Sequence, residues 1–186
     1  MKAPSNTTLD AKIARESVAG TTTLSQKHYA KEILRSHVFW DIPPRNTHMK
    51  PNTRLSKDDC NPNPKQDFHH CYRGIVASLG YLVTMTRPNL AWSYSELSEY
   101  VQFSGVSHME AAEHVLRYLR GTWNKSITYT RGYRKPNELR GWVDAEWDGD
   151  TDTRRSHTGY ILMKNVGPFS WKSHRQDNVR VLRDFR

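Results

Sequence analysis

The chain has 186 residues, a formal net charge of +9 and a mean hydropathy of −0.82. This length is enough for one or two domains with a modest core, and six Trp and nine Tyr exclude a wholly disordered chain. No apolar run approaches the roughly 20 residues that cross a bilayer, and the first residues lack a signal-peptide core. We therefore expect a soluble, intracellular protein with no membrane partner. The positive net charge favours a polyanion, such as a nucleic acid, as the binding partner.

The two cysteines, Cys60 and Cys71, give neither a disulfide framework nor a metal-binding pattern. His69 and His70 lie beside Cys71, but a paired Cys-x-x-Cys knuckle is absent. A chain with so few cysteines fits a reducing compartment. We therefore do not expect a zinc site in this region.

The first predicted elements are a short strand at 21–24 and a helix that begins after Ser25, a residue type favoured at N-caps. An apolar stripe at helical spacing indicates the helix and consists of Tyr29, Ile33 and Leu34. Lys27 and Lys31 lie on its other faces. A basic helix of this kind can lie along a phosphate backbone, although most charged helix faces are simply solvated.

A Pro-rich stretch at 41–67 follows this helix. It contains almost no aliphatic residues, which is typical of a linker or an extended surface loop. We interpret it as the main domain boundary of the chain. Asp58 and Asp59 lie within it without a preceding strand, so we interpret them as surface residues.

Helical periodicity then extends over 72–121, where apolar residues repeat at spacings of three and four. Ser107 and Glu110 form a predicted capping box for the last of three helices. The pattern predicts a small helical bundle, or a cover over another structural unit. His108 and His114 are interpreted as residues on the helix surface.

After residue 121 the apolar period changes to two, which indicates strands near Ile127, at 139–147, at 159–163 and at 169–171. Consecutive strands joined by short turns predict an antiparallel meander.

The strand at 139–147 has two different faces. Its apolar face, which we expect to pack into the core, carries Val143, Ala145 and Trp147; its acidic face carries Asp144, Glu146 and Asp148. Such an acidic row is either solvated and paired with arginines, or holds a metal ion. Arg154 and Arg155 in the following turn are placed to neutralise the acids or to meet phosphates.

Several segments, in the same order along the chain, resemble the Pol polyproteins of Copia-type (Ty1/copia) retrotransposons. They are GTTTLSQKHY (20–29), LSKDDC (55–60), YRGIVASLGYL (72–82), TRPN (86–89), HVLRYLRGT (114–122), VDAEW (143–147), RRS (154–156), TGY (158–160) and SWKS (170–173). The similarity runs over nearly the whole chain, from about residue 13 to residue 179.

The resemblance implies an α+β protein, with a small helical thumb and connection region followed by an incomplete ribonuclease H-like antiparallel β-meander. Residues 1–40 would be the end of the reverse transcriptase palm and thumb helix, and 41–70 the Pro-rich linker. Residues 71–121 would be the helical thumb and connection region, and 122–186 the truncated ribonuclease H-like domain.

The resemblance also assigns Asp144 to the first metal-binding, catalytic carboxylate of that ribonuclease H domain. Intact members hold two Mg²⁺ ions with several carboxylates. Here the polymerase Tyr-Xaa-Asp-Asp turn is absent and no Glu follows Glu146. We therefore expect Asp144 to be a remnant, with no stably bound Mg²⁺ and no catalysis by this fragment on its own.

The alternative function is that of a basic nucleic-acid-binding module without catalysis. Its partner would be an RNA–DNA hybrid or another nucleic acid, contacted by Lys27, Lys31, Arg154 and Arg155. The rest of a Pol polyprotein is a further expected partner.

Overall fold

The computed structural model describes residues 6–8, 11–63, 65–131, 138–146 and 157–176. The regular elements are, in order, β1 (Asn6–Thr8), β2 (Ala11–Glu16), β3 (Thr21–Ser25), α1 (Lys27–Ser36), α2 (Gln66–Met85), α3 (Ala91–Ser98), α4 (Val106–Thr122), β4 (Ile127–Thr130), β5 (Leu139–Glu146), β6 (His157–Lys164) and β7 (Gly167–Arg175). Short 3₁₀ turns at Lys57–Asp59 and Pro88–Leu90 precede α2 and α3. The described part is thus α+β, with helices in the middle of the chain and strands at both ends.

The first sheet is antiparallel and has the strand order β1-β2-β3-β4. The predicted strand at 21–24 is confirmed as β3. The strand predicted near Ile127 also exists, as β4, but it pairs with β3 in the register Leu24 to Ile127 and not with the strands after it in the chain. This pairing ties the chain after α4 back to the segment before α1.

The helices enclose the main core. On α1, the predicted stripe is confirmed for Ile33 and Leu34, which are buried. Helix α2 begins at Gln66, several residues before the predicted start, because polar residues of its first turn carry no apolar period. The largest fully buried side chains of the described residues include Leu34, Tyr72, Ile75, Leu79, Leu82, Arg87, Leu90, Leu97, His108, Val115, Leu116 and Leu119.

The Pro-rich stretch is extended, as predicted, but it packs on the helices. Met49 and Leu55 are buried in the helical core. The Pro43 carbonyl accepts a hydrogen bond of 2.9 Å from the Nε of Arg117 on α4. The stretch therefore acts as a strap across α4 in addition to connecting α1 with α2.

The predicted capping box of α4 is wrong. The helix begins at Val106, and its N-cap is Gly105, whose backbone N–H donates to Nδ1 of His108 over 2.9 Å. His108 is fully buried and stacks on Tyr100 at a ring-centroid distance of 4.0 Å. His114 is also buried. Both histidines were predicted on the helix surface, and that prediction fails because each ring bonds to a backbone carbonyl of the Pro-rich strap.

The predicted antiparallel meander is confirmed as the second sheet, with the strand order β5-β6-β7. Strands β6 and β7 are joined by a two-residue turn in which Asn165 and Val166 both have positive φ, at 48° and 69°. Two positive φ values are the signature of a type I′ hairpin turn, whose twist matches that of the flanking strands. Strand β5 is an edge of this sheet among the described residues.

The prediction for the two faces of β5 is wrong. The register aligns Trp142 with Ile161 and Trp171, so these three side chains share the face that also carries Asp144. That face turns towards the helices, because the Nε1 of Trp171 donates to the Val83 carbonyl of α2 over 2.8 Å.

The opposite face of β5, predicted to enter the core, is exposed. Val143 has 75% of its surface accessible. The side chains of Ala145 and Trp147 lie outside the described residues. The prediction failed because it counted apolar residues only from position 143 onwards, whereas Trp142 supplies the larger apolar surface to the other face.

Helices of the described part are all too short or too polar to cross a membrane.

Candidate functional site

A cavity of about 700 Å³ lies between the β5-β6-β7 sheet and the region around α3. Tryptophans 92, 142 and 171 supply much of its apolar wall. Polar groups in the lining include His48, Asn89, Asp144, His157 and Lys172. An apolar cleft with a few convergent polar groups, at the junction of two structural units, is the usual form of a ligand site.

Asp144 lies at the mouth of this cavity, on the edge strand β5 and opposite Gly159 of β6. Its side chain is exposed. Within the described residues, Asp144 does not belong to any group of three or more potential metal ligands. The side chains of Glu146 and Asp148 lie outside the described residues, so the predicted acidic row is placed only at Asp144.

A different acidic group lies beside the cavity, where α3 meets the sheet. Glu96, Glu99 and His157 bring one potential ligand atom each to within 4.8 Å of one another. Nδ1 of His157 is 3.2 Å from Oε1 of Glu96, and a guanidinium nitrogen of Arg175 is 2.6 Å from Oε2 of Glu99. Because Arg175 already occupies Glu99, we interpret this group as a pair of ion-pair contacts that hold β6 and β7 on α3.

Only a weak signal for this junction is present in the sequence. Glu96 and Glu99 lie three residues apart, which places them on one side of a helix. Their partners in β6 and β7 lie more than 50 positions later, so the contacts depend on how the sheet packs on α3. Trp171 completes the contact, because it packs against the helical core from the sheet side.

His48 lines the opposite wall of the cavity. Its Nδ1 is 2.8 Å from the hydroxyl of Ser93, and its ring meets that of Trp92 edge-on at 5.8 Å. Burial lowers the pKa of His48 below its usual value of 6.5. The cavity therefore carries a neutral imidazole on one wall and a carboxylate at its mouth.

The residues predicted to bind nucleic acid are placed only in part. Lys27 is exposed on α1, and Lys31 lies one turn further on, with its Nζ 4.2 Å from the ring centroid of Trp123. Arg154 and Arg155 lie outside the described residues. Lys27 and Lys31 are on α1, which does not contribute to the cavity lining.

A buried arginine was missed by the sequence reasoning. Arg87 is 2% exposed and donates to the carbonyl and the hydroxyl of Thr122, at 3.1 and 2.7 Å, and to the side-chain oxygen of Asn89 at 3.1 Å. Burial lowers the pKa of Arg87 to about 10. The contact places a cation at the C-terminal end of α4, where the helix dipole is negative. The sequence contains one signal for this junction, because Pro88 directly after Arg87 interrupts the helical period between α2 and α3.

Comparison with known proteins gives matches along most of the chain. The chain is 32% identical over 181 residues, 96% of its length, to the retrovirus-related Pol polyprotein from transposon TNT 1-94 of Nicotiana tabacum. It is 35% identical over 156 residues to that from transposon RE1 of Arabidopsis thaliana. It spans only 13% and 10% of these two polyproteins.

A shorter relative also matches. A Plasmopara viticola protein described as secreted RxLR effector protein 161 is 37% identical over 110 residues, which are 59% of this chain and 76% of that protein. No family model matches the chain. No solved structure matches it either.

The two polyprotein matches cover 96% and 84% of the chain. The chain therefore belongs to the retrovirus-related Pol polyproteins of Copia-type transposons.

Proposed function

We propose that this segment joins the end of the reverse transcriptase to the start of the ribonuclease H domain in a Copia-type Pol polyprotein. The helices α2 to α4 would be the thumb and connection region, and β5 to β7 the first strands of the ribonuclease H-like domain. The observation that supports this most directly is Asp144, which lies on the first strand of an antiparallel meander and at the mouth of a cavity.

The segment would not cleave nucleic acid by itself. Two Mg²⁺ ions about 4 Å apart need several carboxylates, and Asp144 has no two further ligands beside it among the described residues. The donor set of the described part therefore does not fit a two-metal site. In the full polyprotein, other segments would have to supply the missing ligands.

A cleavage assay tests this proposal. The purified chain is incubated with a labelled RNA–DNA hybrid and Mg²⁺ or Mn²⁺, beside the Asp144→Asn variant. We expect no metal-dependent cleavage by either protein. Cleavage by the natural chain that disappears in Asp144→Asn would show that a complete site forms within this chain.

The second candidate function is nucleic-acid binding without cleavage. It is favoured by a basic stripe on α1, where Lys27, Lys31 and Arg35 are spaced by four residues and so lie on one side of the helix. The net charge of +9 also favours binding to the phosphates of a nucleic acid. Binding that rests on phosphate contacts falls steeply with salt. Affinity that is absent at low salt, or that does not change with salt, would rule this candidate out.

Association with the rest of the polyprotein is also part of the proposal. On β5, the side chains of Leu139, Trp142 and Val143 are more than half exposed, and the strand edge has no neighbour among the described residues. An exposed edge with apolar side chains favours pairing with another segment. Adding the next part of a related polyprotein in trans should protect β5 amides from hydrogen exchange.

A further inference from the structure

Two tryptophans and three cations converge at the end of α1 and the end of α4. We name this group the indole–cation cluster; it consists of Lys31, Arg35, Trp40, Arg120 and Trp123. The two indole rings meet edge-on with centroids 5.8 Å apart. Around the Trp40 ring, the charged groups of Arg120, Arg35 and Lys31 lie 4.6, 5.3 and 5.7 Å from the centroid. Lys31 is closer still to Trp123, at 4.2 Å.

The backbone fixes the members of the cluster in place. Lys31 and Arg35 are one turn apart on α1, so both point along the same side of that helix. Arg120 belongs to the last turn of α4, and Trp123 is the C-cap of that helix. The Nε of Arg120 also donates to the backbone carbonyl of Trp40. The cluster therefore joins α1 to α4, and it is assembled in the absence of a ligand.

The cations of the cluster lack acidic partners in the part of the chain that the structure describes. No ion pair joins Lys31, Arg35 or Arg120 to a carboxylate there, although Asp41 follows Trp40 in sequence. Glu32, which is next to Lys31, pairs instead with His28 at 3.1 Å. Three positive charges held together on two indoles repel one another. An anion placed against them would be attracted by all three and would offset this repulsion.

The members of the cluster remain reachable from solvent. Arg35 is exposed, and Lys31, Trp40, Arg120 and Trp123 are each partly exposed. A guanidinium that lies over an indole presents a flat surface on which an unpaired base can stack, while its N–H groups reach a phosphate. Duplex bases are already stacked on one another and cannot use such a surface.

We propose that the indole–cation cluster is a binding site for single-stranded nucleic acid. The cations contact successive phosphates, and the Arg35–Trp40 stack holds an unpaired base. This site lies outside the Asp144 cavity, since none of its residues lines that cavity. The inference rests on the proposed nucleic-acid binding and assigns it to one place on the surface and one kind of strand.

The test uses the full chain without divalent metal. Binding of a short fluorescent single-stranded oligonucleotide, and of the matching duplex, is measured across a salt titration. The Lys31→Gln/Arg35→Gln variant removes two cations of the cluster. A matched control, Lys65→Gln/Arg73→Gln, removes two exposed cations near the start of α2. Thermal melts confirm that each variant is folded.

The natural chain should prefer the single strand. The cluster variant should lower the salt slope for the single strand by about 0.7 for each phosphate that the protein no longer neutralises, while the control variant should change it little. A Trp40→Leu variant, which keeps all three charges, should abolish the preference for the single strand.

The possible failures separate the two proposals. If the natural chain binds neither oligonucleotide at low salt, the proposed nucleic-acid binding is wrong and the site falls with it. If the natural chain binds but the cluster and control variants weaken binding equally, nucleic-acid binding stands and the assigned site is wrong. If Trp40→Leu keeps the preference for the single strand, the stacking role is overturned.

Discussion

Replacing Arg87 by Met tests whether the buried guanidinium holds α4 to the α2–α3 junction. The variant keeps a similar length but removes three hydrogen bonds to Thr122 and Asn89. A hydrogen bond from a charged donor contributes about 1.5–3 kcal/mol. Against this gain stands the cost of burying the cation. Burial lowers the pKa of Arg87 to about 10, and at about 1.4 kcal/mol for each tenfold change the cost is roughly 3 kcal/mol.

The hydrogen bonds therefore exceed the burial cost, although the Thr122 carbonyl still accepts from the Lys125 backbone N–H over 3.0 Å after the substitution. We expect Arg87→Met to lower the free energy of unfolding by about 3 kcal/mol. For a chain of this size, that corresponds to a fall in Tm of about 6–12 °C.

Differential scanning calorimetry, together with urea titration, measures the effect of Arg87→Met. Arg87→Lys is the control, because it keeps the charge but cannot reach all three acceptors, and its destabilisation should be smaller. Thr122→Val removes one acceptor, and the double variant should be less destabilised than the sum of the two single variants, since the residues share a contact. A variant Arg87→Met as stable as the natural chain would refute the reasoning, because the cation would then contribute nothing net.

Three further predictions concern backbone fit and pH. Gly105→Ala should lower the free energy of unfolding by more than about 2 kcal/mol, because the new Cβ would lie 1.8 Å from the Asp59 carbonyl oxygen. Gly74→Ala is the control, since the nearest neighbour of its new Cβ is 3.9 Å away. In the same urea titration, Gly74→Ala should stabilise α2 by about 0.5–1 kcal/mol. Val166→Gly should raise the Tm, with a gain of about 1 kcal/mol, because a β-branched residue at φ 69° is strained; an unchanged Tm would contradict this. Burial lowers the pKa of His114 below 6.5. As the pH falls, the unfolded chain therefore binds the proton first. The contribution of His114 to the free energy of unfolding should be fully present above about pH 6.5 and should decrease below that pH. His114→Gln should flatten this pH dependence of Tm, and an equally steep curve would assign it to other groups.

Local patterns predicted much of the fold. Residues 21–24 form a strand, Ile33 and Leu34 are buried on α1, and the region after α4 contains a meander, all as the apolar periods indicate. These features depend on neighbours within a few positions. The order of segments shared with Pol polyproteins indicated the family, which the comparisons confirm.

The errors lie where distant contacts decide. Whether Asp144 or Val143 faces the helices depends on how Trp171 docks on α2, and the alternation within β5 does not contain that information. His108 looks polar in sequence, yet it is buried because Ser56 and Gly105 satisfy both ring nitrogens. The indole–cation cluster likewise depends on two helix ends that meet in space only after folding.

The pairing of β3 with β4 has a practical meaning for any attempt to divide this protein. Thr23 and Thr128 face each other across 105 positions of sequence, so the first sheet closes only after α4 has been made. A cut at residue 121, directly behind the helical region, would carry β4 away from its neighbour and leave β3 with a bare edge. Pieces intended for separate expression should therefore keep β4 on the helical side, with the break placed after residue 131.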